Sequence, residues 1–326
     1  MAEARPAGPR IGYHASHEQY PPSELLASTR SAAAAGFEAA MCSDHFQPWS
    51  ERQGHSGYAW SWLGAAMAST DLTFGTVTAP GQRYHPAILA QAAATLAELF
   101  PERFWLALGS GEAMNEAITG GAFPAKDERN ARLRECVEVI RALFRGETVT
   151  HRGLVTVEEA RIWSLPAVAP PLYAAAITPE SARWAGSWAD GLITIARARD
   201  VMRAVVDGFR EGGGAGKPIL LQAQISWAAT DEEALAYAHD QWRTNIFESR
   251  VLSELRSPAS FDAAASLIPP EAVDGPVRVS ADVGRHAAWI EEDLELGFTR
   301  VYLHNVGRNQ APFIETFARE VLPRFR

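Results

Sequence analysis

LTFGTVTAPGQRYHPAILAQAAATLAELF, residues 72–100, followed at 103–108 by RFWLAL, holds one complete unit of the fold. An apolar run (72–78) leads through a polar loop into a stretch with helical periodicity from Pro86 to Phe100, and a second apolar run follows. Proline suits the first turn of a helix, because that position has no intrahelical use for an N–H. Strands apolar on both faces belong to a parallel sheet covered by helices. Further apolar runs stand at 11–14, 37–42, 172–176, 191–195, 219–227 and 300–304, which brings the number to eight. Helical periodicity follows most of them, at 23–35, 58–68, 128–144, 179–188, 199–211 and 310–322. Eight strand and helix units predict a closed (β/α)8 TIM barrel.

The period breaks twice. Residues 146–163 read as extended segments around a turn at Gly153, which predicts an inserted hairpin. Residues 231–295 hold more helix than one crossover needs, which predicts inserted helices before the last strand. Neither break carries a Ser/Gly linker, and Gly212 to Gly216 is too short to separate domains, so one domain over 1–326 is expected.

Composition narrows the class. With 47% hydrophobic and 21% charged residues the 326-residue chain can bury a sizeable core. Its net charge of −9 repels a phosphate backbone, so nucleic acid is not an expected partner. The basic residues are almost all arginine; Lys126 and Lys217 are the only lysines. Two cysteines, Cys42 and Cys136, build neither a disulfide framework nor a four-thiolate zinc site, which fits a reducing cytoplasm. Residues 1–10 carry no apolar leader stretch and no run is long enough to span a membrane, so an unexported protein without membrane contact is expected.

In such a barrel the chemistry sits on the loops after the strands. After the second run stands Ser43-Asp44-His45-Phe46-Gln47-Pro48-Trp49, and after the fourth Gly109-Ser110-Gly111-Glu112-Ala113-Met114-Asn115-Glu116. Thr76 and Thr78 end the third run, Ile177 and Thr178 follow the fifth, and His304 and Asn305 end the eighth. A histidine, carboxylates and an indole gathered at one mouth can serve proton transfer, since histidine titrates near neutrality. Each has a plainer reading beside it. Asp44 can cap a turn, His45 can be a satisfied buried histidine, and Trp49, Trp60 and Trp62 can be core. Gly109, Gly111 and Glu112 can form a tight turn opening a helix, although glycines there also admit a flat ring or an anion. No H-E-x-x-H or C-x-x-C spacing supports a metal site, and no metal is expected; a G-x-S-x-G elbow is also absent. Met114 stands where the third glycine of a Rossmann fingerprint would be required.

SDHFQPW (43–49), QRYHPAILAQAAATL (82–96) and GSGEAMNE (109–116), in this order and spacing, resemble the luciferase-like monooxygenase superfamily. The resemblance points to its branch of deazaflavin (F420)-dependent glucose-6-phosphate dehydrogenases, and within it to a subgroup regarded as flavin oxidoreductases that do not use F420. The family fold is a (β/α)8 barrel with insertions. The resemblance implies that His45 is the base taking the substrate hydroxyl proton, with Asp44 orienting or tuning it. It likewise implies that Trp49 stabilises the reacting ring complex and that Glu112 is the acid protonating the reduced ring. Gly109, Gly111 and Asn115 fall at cofactor contacts, and Thr76 and Val77 at a strand bulge against the ring, in a loop one residue shorter than the family's. Ala176, Ile177 and Thr178 stand by the cofactor phosphate, where the family has a glycine pair instead of Ile177 and Thr178. The family's phosphate-holding lysines and arginine align with Ala198, Ala263 and Pro276, so a sugar 6-phosphate is not the expected substrate; Arg197 and Arg199 are the candidates for compensation.

The expected activity is hydride transfer between a flavin-type ring, FMN or F420, and a small non-phosphorylated hydroxyl or carbonyl substrate, with His45 as base. An FMN monooxygenase using oxygen and a non-catalytic flavin-binding barrel are the alternatives. Family analogy adds a homodimer.

Overall fold

The computed structural model describes residues 10–326; the first nine, within the stretch read as lacking a leader, lie outside the described residues. Eight parallel strands close a barrel in chain order: β1 (Arg10–Ala15), β2 (Ala39–Ser43), β3 (Thr73–Thr78), β4 (Phe104–Leu108), β7 (Leu172–Ala175), β8 (Gly191–Ile195), β9 (Ile219–Ser226) and β11 (Arg300–Asn305). Closure comes from β8 pairing with β9 and β11 with β1. All eight expected runs are strands, and the helices fall where periodicity placed them. Pro86 and Pro179 each open a helix, the latter capped by Thr178 Oγ1 accepting from the Ser181 amide at 3.3 Å.

The hairpin is β5 (Val149–Arg152) against β6 (Thr156–Ala160), antiparallel. The second insertion contributes helices Asp231–Trp242, Ser249–Glu254 and Pro258–Ala264, then the crossover helix Val283–Glu295 leads to β11. It also holds a strand that apolar periodicity does not predict, β10 (Arg278–Val279), parallel to β9 at Ile225 and Ser226. There β8 has already ended, because its pairing with β9 stops at Ile195 and Gln222. A two-residue strand is too short to show a period.

Strand alternation sorts the core into two. Outward-facing residues pack under the helices in one large cluster, while Met41, Trp105, Ile193, Leu220 and Tyr302 fill the barrel interior. Gly75 and Gly12 make this possible: a Cβ would lie 1.8 Å from the Trp105 indole at Gly75 and 2.3 Å from the Tyr302 ring at Gly12. Trp105 and Tyr302 join through Nε1–H donating to the phenol oxygen at 3.0 Å. This plug closes the lower barrel, and inward residues above it become the floor of a cavity. Both cysteines are buried and unpaired. No helix among the described residues is long and apolar enough to cross a membrane.

Candidate active site

A cavity of about 1410 Å³ opens at the carboxyl ends of the strands, roofed by the inserted helices. A pocket for one small ligand spans roughly 300–1,000 Å³, so this one has room for a ring cofactor and a substrate together. His45, Asp44, Trp49, Glu112, Val77, Gly109, Gly111, Ala176, Ile177 and Thr178 all line it.

His45 does not meet Asp44. Its Nδ1 is 2.5 Å from Glu18 Oε1, on the loop after β1. Glu18 is buried and also accepts from Ser16 Oγ at 2.8 Å. Burial alone would raise its pKa, but the hydrogen bond and charge of His45 outweigh this and hold the carboxyl down at about 2. A carboxylate can only accept, so Nδ1 carries the proton and Nε2 is the imidazole's basic nitrogen. Burial works against the imidazolium, yet Glu18, helped by the Glu112 charge, raises His45 above its ordinary 6.5. Glu18 lies in the segment HASHEQ (14–19), which holds two further histidines and falls outside the three family motifs; only closure of the barrel brings it beside His45.

Asp44 therefore needs correction as the tuning residue. Neighbours in an extended chain point opposite ways. Its carboxylate accepts from Trp60 Nε1 (3.1 Å), Thr78 Oγ1 (2.9 Å) and Tyr84 OH (3.2 Å) and lies 3.4 Å from Arg83 Nη1. Arg83 is shared with buried Glu116, whose pKa is raised by burial in spite of that guanidinium. This Asp44–Arg83–Glu116 group fastens the loops after β2, β3 and β4 together. Asp44 and Glu116 both border the cavity as well.

Two expected contacts lie behind the cavity wall. Thr76 is fully buried with its hydroxyl accepting from Cys42 Sγ at 3.5 Å, since alternation sends Thr76 outward and Val77 inward. Nor does β3 bulge: its register with β2 and β4 runs unbroken through Val77, and a bulge needs an extra residue that this shorter loop lacks. Asn115 is also buried, and its Oδ1 accepts from the Phe46 and Gln47 amides at 2.8 and 3.2 Å. It shapes the loop just past His45 from behind.

Trp49 stands perpendicular to His45, ring centroids 5.3 Å apart, and is backed at 5.3 Å by Phe261 of the inserted helix Pro258–Ala264. Asp262 on that helix accepts from Ser50 Oγ (2.7 Å), the Glu51 amide (2.9 Å) and Arg52 Nη1 (2.7 Å), so the insertion clamps the His45 loop. Gly111 has φ +79°, and a Cβ there would meet Glu116 Cγ at 2.6 Å. Gly109 differs: a Cβ would find only Ala175 Cβ at 3.7 Å and a carbonyl at 3.9 Å. Nothing among the described residues requires glycine at 109, and a side chain there would take up cavity space, which fits a flat ring lying against this strand end. Glu112 borders the cavity with its carboxylate in electrostatic reach of His45.

At the positions aligned with the family's phosphate clamp, Ala198 and Pro276 line the cavity and Ala263 is exposed outside it. Arg199 is engaged by Glu295 Oε2 (3.0 Å) and the Glu292 carbonyl (2.8 Å), and cavity-lining Arg278 is held bidentately by Asp293 at 2.6 and 2.7 Å. Arg197 keeps a buried Nε without a partner among the described residues.

Comparison with known proteins places this geometry. A profile described as luciferase-like monooxygenase matches residues 7–300. The chain is 38% identical to an F420-dependent glucose-6-phosphate dehydrogenase of Beutenbergia cavernae, covering 97% of each chain. It is 34% identical to an enzyme of the same name from Mycobacterium leprae, covering 97% of this chain and 98% of that one. A solved F420-dependent secondary alcohol dehydrogenase, in complex with an F420-acetone adduct, matches with a TM-score of 0.90 at 30% identity over 98% of this chain and 100% of that one. The FMN complex of the oxygenating constituent of 3,6-diketocamphane monooxygenase from Pseudomonas putida shares the fold, with a TM-score of 0.70 at 18% identity over 98% and 99%. The chain belongs to the luciferase-like monooxygenase family and is an enzyme of its flavin- and F420-type oxidoreductase class.

Proposed function

We propose that the chain is an F420-dependent dehydrogenase of a small, non-phosphorylated alcohol, with His45 as the base. The observation that carries this reading is the 2.5 Å hydrogen bond from His45 to a buried, ionised Glu18 at the cavity wall. Glu18 fixes the tautomer and stabilises the imidazolium, so Nε2 can take the hydroxyl proton as the carbinol hydrogen leaves as hydride. When bound, the deazaflavin supplies a two-electron hydride acceptor. Gly109, Val77 and Ile177 would seat its ring, Trp49 would flank the reacting carbon, and Ala176 and Thr178 would lie by its phosphate tail. Glu112 would hold the proton exchanged at the ring. Relatives named for F420 at 30–38% identity over nearly the full chain support this cofactor over FMN. The small side chains at 198 and 276, with Arg199 and Arg278 already paired, argue against a phosphorylated substrate.

The test is fluorescence titration with F420 and FMN, then reduction of the bound cofactor by 2-propanol and larger alcohols without oxygen. Micromolar F420 binding and cofactor bleaching are expected. Binding of neither cofactor sinks the reading, and alcohol-independent oxygen uptake by an FMN-loaded enzyme replaces it with the monooxygenase one.

A further inference from the structure

Three polar side chains form one row on the cavity floor. His304 on β11 is paired in register with Gln224 on β9, and His14 sits on β1, the neighbour of β11 on its other side. They are 3% (His14), 2% (His304) and 3% (Gln224) exposed, and all three line the cavity. The two imidazoles stack with centroids 4.2 Å apart, and Trp242 of the inserted helices stands edge-on to His304 at 4.7 Å. Gln19 Oε1 occupies Nε2 of His304 at 2.9 Å. Both ring nitrogens of His14, Nδ1 of His304 and Oε1 of Gln224 are buried with no hydrogen-bond partner among the described residues. Buried polar atoms are rarely left unpaired, and these four, on adjacent strands at the edge of one cavity, call for a partner from outside the chain.

The chemistry of the row selects that partner. Burial drives His304 down to about 3, and burial together with the neighbouring His304 drives His14 well below its ordinary value, so both rings are neutral. The amide of Gln224 is neutral at any pH. The row itself offers no charge to replace the hydration an ion placed against it would lose. A hydroxyl, which donates and accepts, matches imidazole nitrogens and an amide oxygen. His14 also lies within electrostatic reach of Glu18 and His45, and all three line the same cavity.

We propose that His14, His304 and Gln224 bind a second, uncharged hydroxyl on the carbon next to the one oxidised at His45, which makes vicinal diols and polyols the substrate class. This rests on the dehydrogenase reading above and deepens it. A site built to hydrogen-bond a hydroxyl discriminates strongly against the analogue that lacks it.

The F420-loaded enzyme is assayed with 1,2-propanediol and 2-propanol, which share the carbinol and differ by the second hydroxyl. The ratio of their kcat/KM values is expected to favour the diol by about tenfold or more. Gln224→Leu and His14→Phe are each expected to collapse that ratio toward one, whereas His14→Asn, which keeps a neutral hydrogen-bonding group, retains part of it. Thermal melts show that the variants are folded; Gln224→Leu removes an unpaired polar atom and should not lower the midpoint. Calorimetric titration of both alcohols, with and without F420, reads the same preference without turnover. Diol-selective binding that Gln224→Leu abolishes, in an enzyme that oxidises neither alcohol, upholds the row and sinks the dehydrogenase reading. Oxidation of both with equal kcat/KM, a preference that survives both apolar variants, or no diol preference by either method overturns the row.

Discussion

At His45 one hydrogen bond sets tautomer, charge and pH range together. Because Glu18 raises His45 above 6.5, the base form is present above that raised pKa and is lost as pH falls through it. The rate of alcohol oxidation should therefore show an acid limb with its midpoint above 6.5. Glu18→Gln removes the anion and leaves burial to dominate, so the midpoint should move to lower pH, as read from kcat/KM profiles of the two enzymes. An unmoved limb would assign it to another group. His45→Ala should slow single-turnover cofactor reduction by about 10²- to 10⁴-fold, the usual worth of a general base, with F420 affinity little changed in a parallel titration. Normal chemistry at saturation with lost affinity would make His45 a binding residue. That His45 faces the cavity was legible in the sequence from its place at a strand end. Its partner was not, because Glu18 and Asp44 are both acidic, and only side-chain direction tells them apart.

The loop after β4 shows how one motif divides its labour. Gly111 serves the chain itself, since its φ of +79° and the 2.6 Å approach to Glu116 leave no place for a Cβ. Gly109 leaves room only toward the cavity. Gly111→Ala should destabilise the fold by roughly 1–3 kcal/mol, visible as a lower denaturant midpoint. Gly109→Ala should melt like the parent and bind F420 more weakly; equal affinity would show that the ring does not lie against this strand end. The inserted helix Pro258–Ala264 has a comparable supporting part, since Phe261 backs Trp49 and Asp262 anchors the residues that follow it.

Over the whole molecule, the barrel interior is plugged by Trp105 and Tyr302 and opens above them into a cavity whose floor is uncharged and whose two cavity-lining clamp positions, Ala198 and Pro276, are small. Glucose 6-phosphate is accordingly expected to reduce F420 at most poorly, with kcat/KM far below that for a neutral alcohol, in the same anaerobic assay. Efficient turnover of the sugar phosphate would show that Arg197 and the other cavity arginines hold the anion after all.

The order of strands and helices, the closed barrel, the hairpin and the helical insertion were all written in the sequence, because apolar periodicity and helix caps are local properties that each segment carries by itself. The set of loops at the mouth followed from that order. Which residues face the cavity was decided only in three dimensions. A strand alternates its faces with period two, so an error of one residue exchanges Thr76 for Val77, and the nearly unbroken apolar strands of a parallel barrel give no polar face to fix the phase. The Glu18–His45 pair, the Asp44–Arg83–Glu116 group and the row of His14, His304 and Gln224 each join residues from separate strands or loops. Only closure of the barrel brings them within a few ångströms, and only burial then sets their charges.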